Sequence, residues 1–373
     1  MESNTSASQK RLYSLDALRG FDMLWIMGGE ALFTGIATLT GWPVFEWWAG
    51  QLDHVEWDGF RFYDMIFPLF LFIAGISFPY SLAKRRQKGE ADTLIYRHII
   101  FRGLILVLLG IVYNNGIRFD FENMRYGSVL GRIGLAWMFA AIIYMNAGRK
   151  FRILWFSLLL IGYWLLLLFF PAHDLGATDP FSQEGNLASY IDRLLMPGKL
   201  YRGNHDPEGL FSTIPAISTA LLGMFTGEFM MSEYLSDKPL KKVISLVMAG
   251  IVFILIGSIW NLFFPINKNL WSSSFVCYVG GLSILLFSLF YLIIDVMQYR
   301  KWAFFFVVIG LNPITIYLTN RIINFGNANR FFFKGITDLL PETWAPLMNG
   351  LGITAIGWIF LYILYKKKIF LKI

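Results

Sequence analysis

Long apolar runs alternate with short polar ones along this chain, and the runs lack the period-2 alternation that a membrane β-strand shows. Each approaches the roughly 20 residues that a helix needs to cross a hydrocarbon core. They cover 15–38, 64–83, 98–113, 128–147, a run from the basic turn at 148–152 to residue 170, then 210–231, 243–264, 272–296, 302–320, and a last one from 347 to the lysines at 366–368. Lipid satisfies no exposed backbone group, so such runs must be helical. The pattern predicts an all-α polytopic membrane bundle of about ten transmembrane helices, organised as a single transmembrane domain over 1–373. Polar loops at 40–63, 114–127, 172–209, 265–271 and 321–346 are expected on one side, with a short interfacial helix near 190–195. No sequence repeat is evident.

Composition agrees. Of 373 residues, 56% are hydrophobic, 18% aromatic and 15% charged, against about 25% charged in an average chain. The first ten residues are polar and too short for a cleaved signal peptide, so the first span is expected to remain in the mature protein. Cys277, the single cysteine, excludes a disulfide framework and reads as a small core residue.

Net charge is +7, and its placement carries the information. Nineteen Lys and Arg fall at 10–11, 84–97, 149–152, 238–242, 300–301 and 366–372, while the five opposite loops hold ten among fourteen carboxylates. That asymmetry is a positive-inside signal, not a nucleic-acid groove. It predicts both termini cytoplasmic and the 40–63 loop outside, which for a bacterial inner membrane means the periplasm.

The candidate chemistry gathers in that loop, at His54-Val55-Glu56-Trp57-Asp58-Gly59-Phe60-Arg61-Phe62-Tyr63-Asp64. An imidazole is the natural general base near neutral pH, and a carboxylate on its other nitrogen, such as Asp64, would fix its tautomer. The alternative is an interfacial histidine among the belt residues Trp42, Trp47, Trp48 and Trp57. Glu30 lies about two turns beyond Asp22 in the first span, where a buried carboxylate is costly unless paired or protonated. Asp16, Arg19 and Asp22 are spaced i, i+3 and either neutralise one another or leave Arg19 for an anion. Arg102 and Arg132 interrupt apolar runs, and the glycines flanking Arg132 permit close approach of a ligand or a backbone. Asp206-Pro207-Glu208-Gly209 reads as a helix start whose carboxylates can also face a substrate. His98, His173 and His205 read as interfacial or loop residues. No nucleotide loop, zinc motif or nucleophile elbow is present in the sequence, and no metal is expected.

Several segments resemble the heparan-alpha-glucosaminide N-acetyltransferase family of membrane acyltransferases. They are Ser14-Leu15-Asp16-Ala17-Leu18-Arg19-Gly20, His54 to Gly59, Asp64 to Phe70 with Ile73-Ala74-Gly75, Arg132-Ile133-Gly134, Asp206 to Leu210 with Thr213-Ile214, Asn267-Lys268-Asn269-Leu270-Trp271-Ser272, and Gly310 to Ile314. The resemblance spans nearly the whole chain. It implies an enzyme that moves acetyl from acetyl-CoA across or within the membrane to the amino group of a terminal glucosamine on the far side. It places the catalytic histidine at His54, with Asp64 and Glu30 beside it. Glu30 falls at or near the family's usual asparagine, and a carboxylate donates no hydrogen bond unless protonated.

For the polyanionic, inward-made donor the expected contacts are Arg19, Arg102, Arg132, Asn269 and Trp271. For an outward-facing amino-sugar or glycan acceptor they are Trp57, Asp58, Asp206, Glu208, Asn267 and Lys268. The chain is expected to lack the large outer N-terminal domain and extra first span of the animal enzymes, so a heparan substrate is not implied. Acetyl-CoA is the expected co-substrate, membrane lipid the surroundings, and a homodimer the arrangement that the family suggests. Direct attack with His54 as base and a covalent acetyl-histidine both fit. The rivals are O-acylation of an envelope glycan, a proton-coupled transporter using Asp22, Glu30 and Asp64, and a structural membrane protein.

Overall fold

The computed structural model describes residues 12–117, 120–235, 237–323 and 325–371. Lys10, Arg11, Arg118 and Lys372 of the charge count lie outside them. Among the described residues the secondary structure is helical, apart from one isolated antiparallel bridge between Arg125 and Gly198. The first crossing is made of α1 (Tyr13–Leu24) and α2 (Glu30–Thr40), joined through a widened turn at Trp25–Gly29 in which Gly28 has φ 139°. That angle favours glycine. Then come α3 (Pro43–Gln51), α4 (Ile66–Gln87), α5 (Asp92–Asn115), α6 (Val129–Asn146), α7 (Arg149–Phe169), α8 (Leu187–Leu195), α9 (Thr213–Met231), α10 (Pro239–Trp260) and α11 (Ser273–Phe290). The chain ends with α12 (Ala303–Gly310), α13 (Pro313–Ile322), α14 (Phe325–Thr337) and α15 (Ala345–Lys366).

Nine helical stretches among the described residues are long and apolar enough to cross a membrane. The protein is an integral membrane protein of the all-α class. The remaining run, 302–320, is broken into α12 and α13 because Pro313 lacks the N–H that would continue α12 and sits instead at the start of α13. Two of the expected loops contain helices of their own, α3 within 40–63 and α14 within 321–346. The expected interfacial helix is α8, starting three residues earlier than its sequence bounds.

Lipid tails are as apolar as leucine, so helices associate through close packing at small residues. Glycine seams do this throughout. A Cβ on Gly75 of α4 would collide with the Ala220 carbonyl of α9, and one on Gly223 with the Phe72 carbonyl. Gly250 and Gly281 bring α10 against α11 in the same way, and Gly20 and Gly310 do so for α1 against α12. The seams fix the helices tightly enough for their ends to present side chains at defined positions.

The loops meet at two opposite faces. On the basic face Ser14 N donates to Asp295 Oδ2 at 3.1 Å, Arg152 pairs with Glu228 at 3.0 Å, and Tyr96 donates to Asn146 at 2.9 Å. On the other, Gly59 N donates to the Ile266 carbonyl at 2.8 Å, Trp57 Nε1 to the Phe181 carbonyl at 2.9 Å, and Arg202 to the Glu56 carbonyl at 2.8 Å. This second surface is called the His54 face below. At the break between α12 and α13, Asn312 Nδ2 donates to the Ile369 carbonyl at 3.0 Å while its Oδ1 accepts from Leu371 N at 3.1 Å.

Candidate active site

The entry to α4 organises the His54 face. Residues Phe62–Met65 form a tight turn, and the Asp64 carboxylate folds back so that Oδ2 accepts from Arg61 N at 3.0 Å. Its other oxygen, Oδ1, is 2.7 Å from His54 Nδ1. An ionised carboxylate only accepts, so Nδ1 carries the proton and Nε2 presents its lone pair. The Asp64 side chain is 1% exposed and that of His54 48%, which puts the fixed partner inside and the imidazole at the opening. Arg61 holds the loop by donating to the His54 carbonyl at 3.1 Å and pairing with Asp53 at 3.3 Å.

Lys268 completes the group. Its Nζ lies 3.0 Å from His54 Nδ1, 3.2 Å from Nε2 and 3.4 Å from Asp64 Oδ1. An in-plane position equally near both nitrogens would overlap Cε1, so the ammonium stands over the ring face and leaves the in-plane lone pair of Nε2 open. Burial pushes its pKa down from the ordinary lysine range, while Asp64 and Glu208 pull it back. Tyr63 packs its ring 4.9 Å from the His54 ring and is within electrostatic reach of Glu30. Glu30 therefore neighbours the site on the Tyr63 side, and it is exposed, not buried as its depth in the sequence suggested.

The turn 267–271 locks the His54 loop in place. Asn267 is fully buried, donating to Asp58 Oδ1 at 3.0 Å and accepting from Leu270 N at 2.8 Å. Asn269 reaches the Glu56 carbonyl at 3.4 Å, and Trp271 is fully enclosed, with its indole donating to Thr219 at 3.1 Å. Trp57 lies edge-on to the His205 ring at 5.0 Å. His205 is a loop residue, as expected, but a buried one. Its Nδ1 is 2.7 Å from Ser189 Oγ, and burial lowers its pKa to about 3.

Behind it, Asp192 Oδ1 accepts from Leu210 N and Phe211 N at 2.9 and 3.2 Å. Burial raises the Asp192 pKa to about 6, against the opposing pull of those N–H groups and Arg132. An acid with a raised folded-state pKa contributes stability that is full below its unfolded value near 4 and is lost as pH rises through 6. Thermal unfolding is expected to show a loss on the order of 2 kcal/mol between pH 4 and 7 that Asp192→Asn removes. An unchanged slope in the variant would assign the loss to another group.

A second cluster adjoins the first. Arg125 donates to Asp206 at 2.8 and 2.6 Å, pairs with Glu208, and stacks over Tyr201 at 4.4 Å. Asp206 also accepts from Tyr201 N and Glu208 N, so its carboxylate is fully engaged. Its pKa is held below the ordinary value because Arg125 outweighs the burial that would raise it. Arg132, in the first turn of α6, is buried with one nitrogen on the Gly209 carbonyl at 3.2 Å and on Ser212, and lies over Trp271 at 5.0 Å. Arg132, Asn269 and Trp271 thus lie with the His54 group and apart from Arg19 and Arg102. Sequence reasoning missed Arg125, Tyr63 and Asp192. The one available signal for Arg125 was that two neighbouring carboxylates, Asp206 and Glu208, need a cation if they are buried.

Toward the basic half, Arg19 bonds Asp16 at 3.3 Å and Ser77 at 3.0 Å. Arg102 stacks over Trp137 at 4.4 Å, near enough to feel the charge of Arg19. Asp22 is buried, and neither of its oxygens meets a donor among the described residues. No cluster of metal-ligating side chains occurs among the described residues.

No protein-family model matches the chain. It is 26% identical over 420 residues to the heparan-alpha-glucosaminide N-acetyltransferase of Homo sapiens, covering 99% of this chain and 61% of that protein. The chain resembles heparan-alpha-glucosaminide N-acetyltransferases. The Mus musculus protein of the same name is also 26% identical, over 375 residues that cover 86% of this chain and 56% of that one. The chain therefore spans about three fifths of the length of these curated heparan-alpha-glucosaminide N-acetyltransferases.

Proposed function

We propose that the protein is a membrane acetyltransferase that takes acetyl from acetyl-CoA at the basic face and delivers it to the amino group of an amino sugar at the His54 face. The observation that carries this reading is the His54 imidazole, bound through Nδ1 to buried Asp64 with Nε2 open and Lys268 over its ring. The similarity to enzymes named for N-acetyl transfer to a glucosaminide adds to it. The charge asymmetry makes the basic face cytoplasmic, and in a bacterial inner membrane the His54 face is then periplasmic.

Nε2 removes the proton from the acceptor amine as its nitrogen attacks the thioester carbonyl. Lys268 stabilises the oxyanion of the tetrahedral intermediate. Collapse breaks the C–S bond, and the imidazolium returns its proton to the departing thiolate while Asp64 stabilises the transient cation. On the donor side, Arg19 and Arg102 are the cations suited to the phosphates of acetyl-CoA, since the buried Nε of Arg102 has no partner among the described residues. Glu208, within electrostatic reach of Lys268, is suited to an acceptor hydroxyl or ammonium. Asp206, spent on Arg125, shapes the site without facing a ligand. A transporter would need Asp64 free to exchange protons, and here His54 and Arg61 N hold both its oxygens.

The direct test offers labelled acetyl-CoA and a panel of amino sugars, with hydroxyl-only analogues, to the protein in nanodiscs. Label on the amines alone supports the reading. Label on hydroxyls alone turns it to O-acylation, and label on neither overturns it.

Lys268 adds a pH signature. Its ammonium is lost as pH rises, at a pH below the ordinary lysine value near 10.4. The kcat/KM profile is therefore expected to fall on the alkaline side. Lys268→Arg keeps the charge and moves that limb upward, while Lys268→Met costs about 10²-fold at all pH. An alkaline limb unmoved in Lys268→Arg would remove Lys268 from the mechanism.

A further inference from the structure

Beside the site, at the His54 end of α13, the bundle surface opens into two grooves that share Arg321 and Ile322. One, of 530 Å³, lies between α5 and α13 and is lined by Leu109, Val112, Tyr113, Asn115 and Ile117 along with the shared pair. The other, of 470 Å³, lies between the Gly28 turn and α15, against Ile26, Phe325 and Ile353. The first is more apolar than polar, the second mixes aliphatic side chains with polar surface around Arg321, and Ile117 and Ile322 are 85% and 81% exposed.

Arg321 is exposed in this setting, and among the described residues no carboxylate or hydrogen-bond acceptor engages it. A guanidinium flanked by exposed aliphatic surface at the end of a membrane-length apolar run is suited to a phosphate that itself carries a lipid chain. Tyr113, in the wall of the first groove, stacks on Tyr317 with centroids 4.5 Å apart. Tyr317 is within electrostatic reach of Glu208 and Arg125. Asn115, on the same wall, donates to the Arg125 carbonyl at 2.8 Å and accepts from Arg125 N at 2.9 Å. Tyr113 and Asn115 thus line the same groove as Arg321 while Asn115 holds the polar cluster through Arg125.

We propose that the acceptor is an amino sugar carried on a lipid phosphate, which enters sideways from the bilayer with its phosphate on Arg321, its chain in the grooves and its sugar reaching Glu208 and His54. The proposal rests on the acetyl-transfer reading above and specifies its substrate class. It requires no change in the chemistry, because the amine attacks the same thioester and the same thiol leaves.

The test uses the full chain in phosphatidylcholine nanodiscs with two acceptors, methyl glucosaminide and glucosamine 1-phosphate esterified to a long-chain alcohol. Transfer from labelled acetyl-CoA and direct binding of a fluorescent form of the glycolipid are read separately. The expected result is a kcat/KM at least about tenfold higher for the glycolipid, a preference that Arg321→Gln shrinks about tenfold through KM and Arg321→Lys partly restores. Equal use of both acceptors, or a preference untouched by Arg321→Gln, overturns the lipid-phosphate site. So does a preference erased by replacing phosphatidylcholine with phosphatidylglycerol, since the groove would then hold bulk anionic lipid. Arg321-dependent binding of the glycolipid without transfer to either acceptor keeps the site and overturns the acetyl-transfer reading. Transfer to methyl glucosaminide without Arg321-dependent glycolipid binding does the reverse.

Discussion

Replacing His54 by alanine is expected to lower acetyl transfer by about 10²- to 10⁴-fold, the range that a positioned general base contributes. The side chain is 48% exposed, so its removal opens no enclosed cavity, and thermal unfolding should be nearly unchanged. Acetyl-CoA binding should also persist, because Arg19 and Arg102 belong to the opposite half of the bundle. A loss of rate with retained donor binding assigns the imidazole to chemistry, whereas turnover within about threefold of wild type would remove it from the mechanism. Asp64→Asn gives a graded companion. It keeps the shape but offers no full charge to the imidazolium, and the freed tautomer can turn the wrong nitrogen toward the acceptor.

Replacing Arg125 by leucine is expected to be the most destabilising single change on the His54 face, by about 3–5 kcal/mol. The mechanism is an uncompensated buried charge. Asp206 is fully buried and Glu208 nearly so, and Arg125 pairs with both. Because Arg125 holds the Asp206 pKa below its ordinary value, the contribution of this pair is present above about pH 4 and lost as pH falls through the folded-state value. Thermal unfolding at neutral pH should register a large drop for Arg125→Leu that a second change, Asp206→Asn, partly restores. An unaltered unfolding temperature would mean that water reaches the pair and neutralises its cost. The same variant should impair turnover, since Glu208 is the link between this pair and Lys268.

The architecture was legible because the length and apolarity of a run decide membrane insertion locally. The His54–Asp64 pair was legible for a similar reason, since ten residues of loop separate two groups at one helix entrance. The break at Asn312 was signalled by Pro313, yet a hydropathy count passes over it. Arg132 was grouped with the donor cations by residue type, whereas its position in the first turn of α6 already fixes it at the His54 end. Arg125 was not legible: its carboxylate partners lie 81 and 83 residues away, and no local pattern announces a contact of that span. Glu30 was read as buried from its depth along a straight helix, and the turn at Gly28 decides otherwise.

The clasp that Asn312 makes on residues 369–371 has a practical side. An affinity tag, a fluorescent fusion or a protease trimming those residues pulls on the interruption at the start of α13, the helix that carries Tyr317 of the stacked pair. Reporter groups for measuring turnover therefore belong elsewhere on the chain, and a reporter deliberately attached there would serve as a strain gauge for motion of α13.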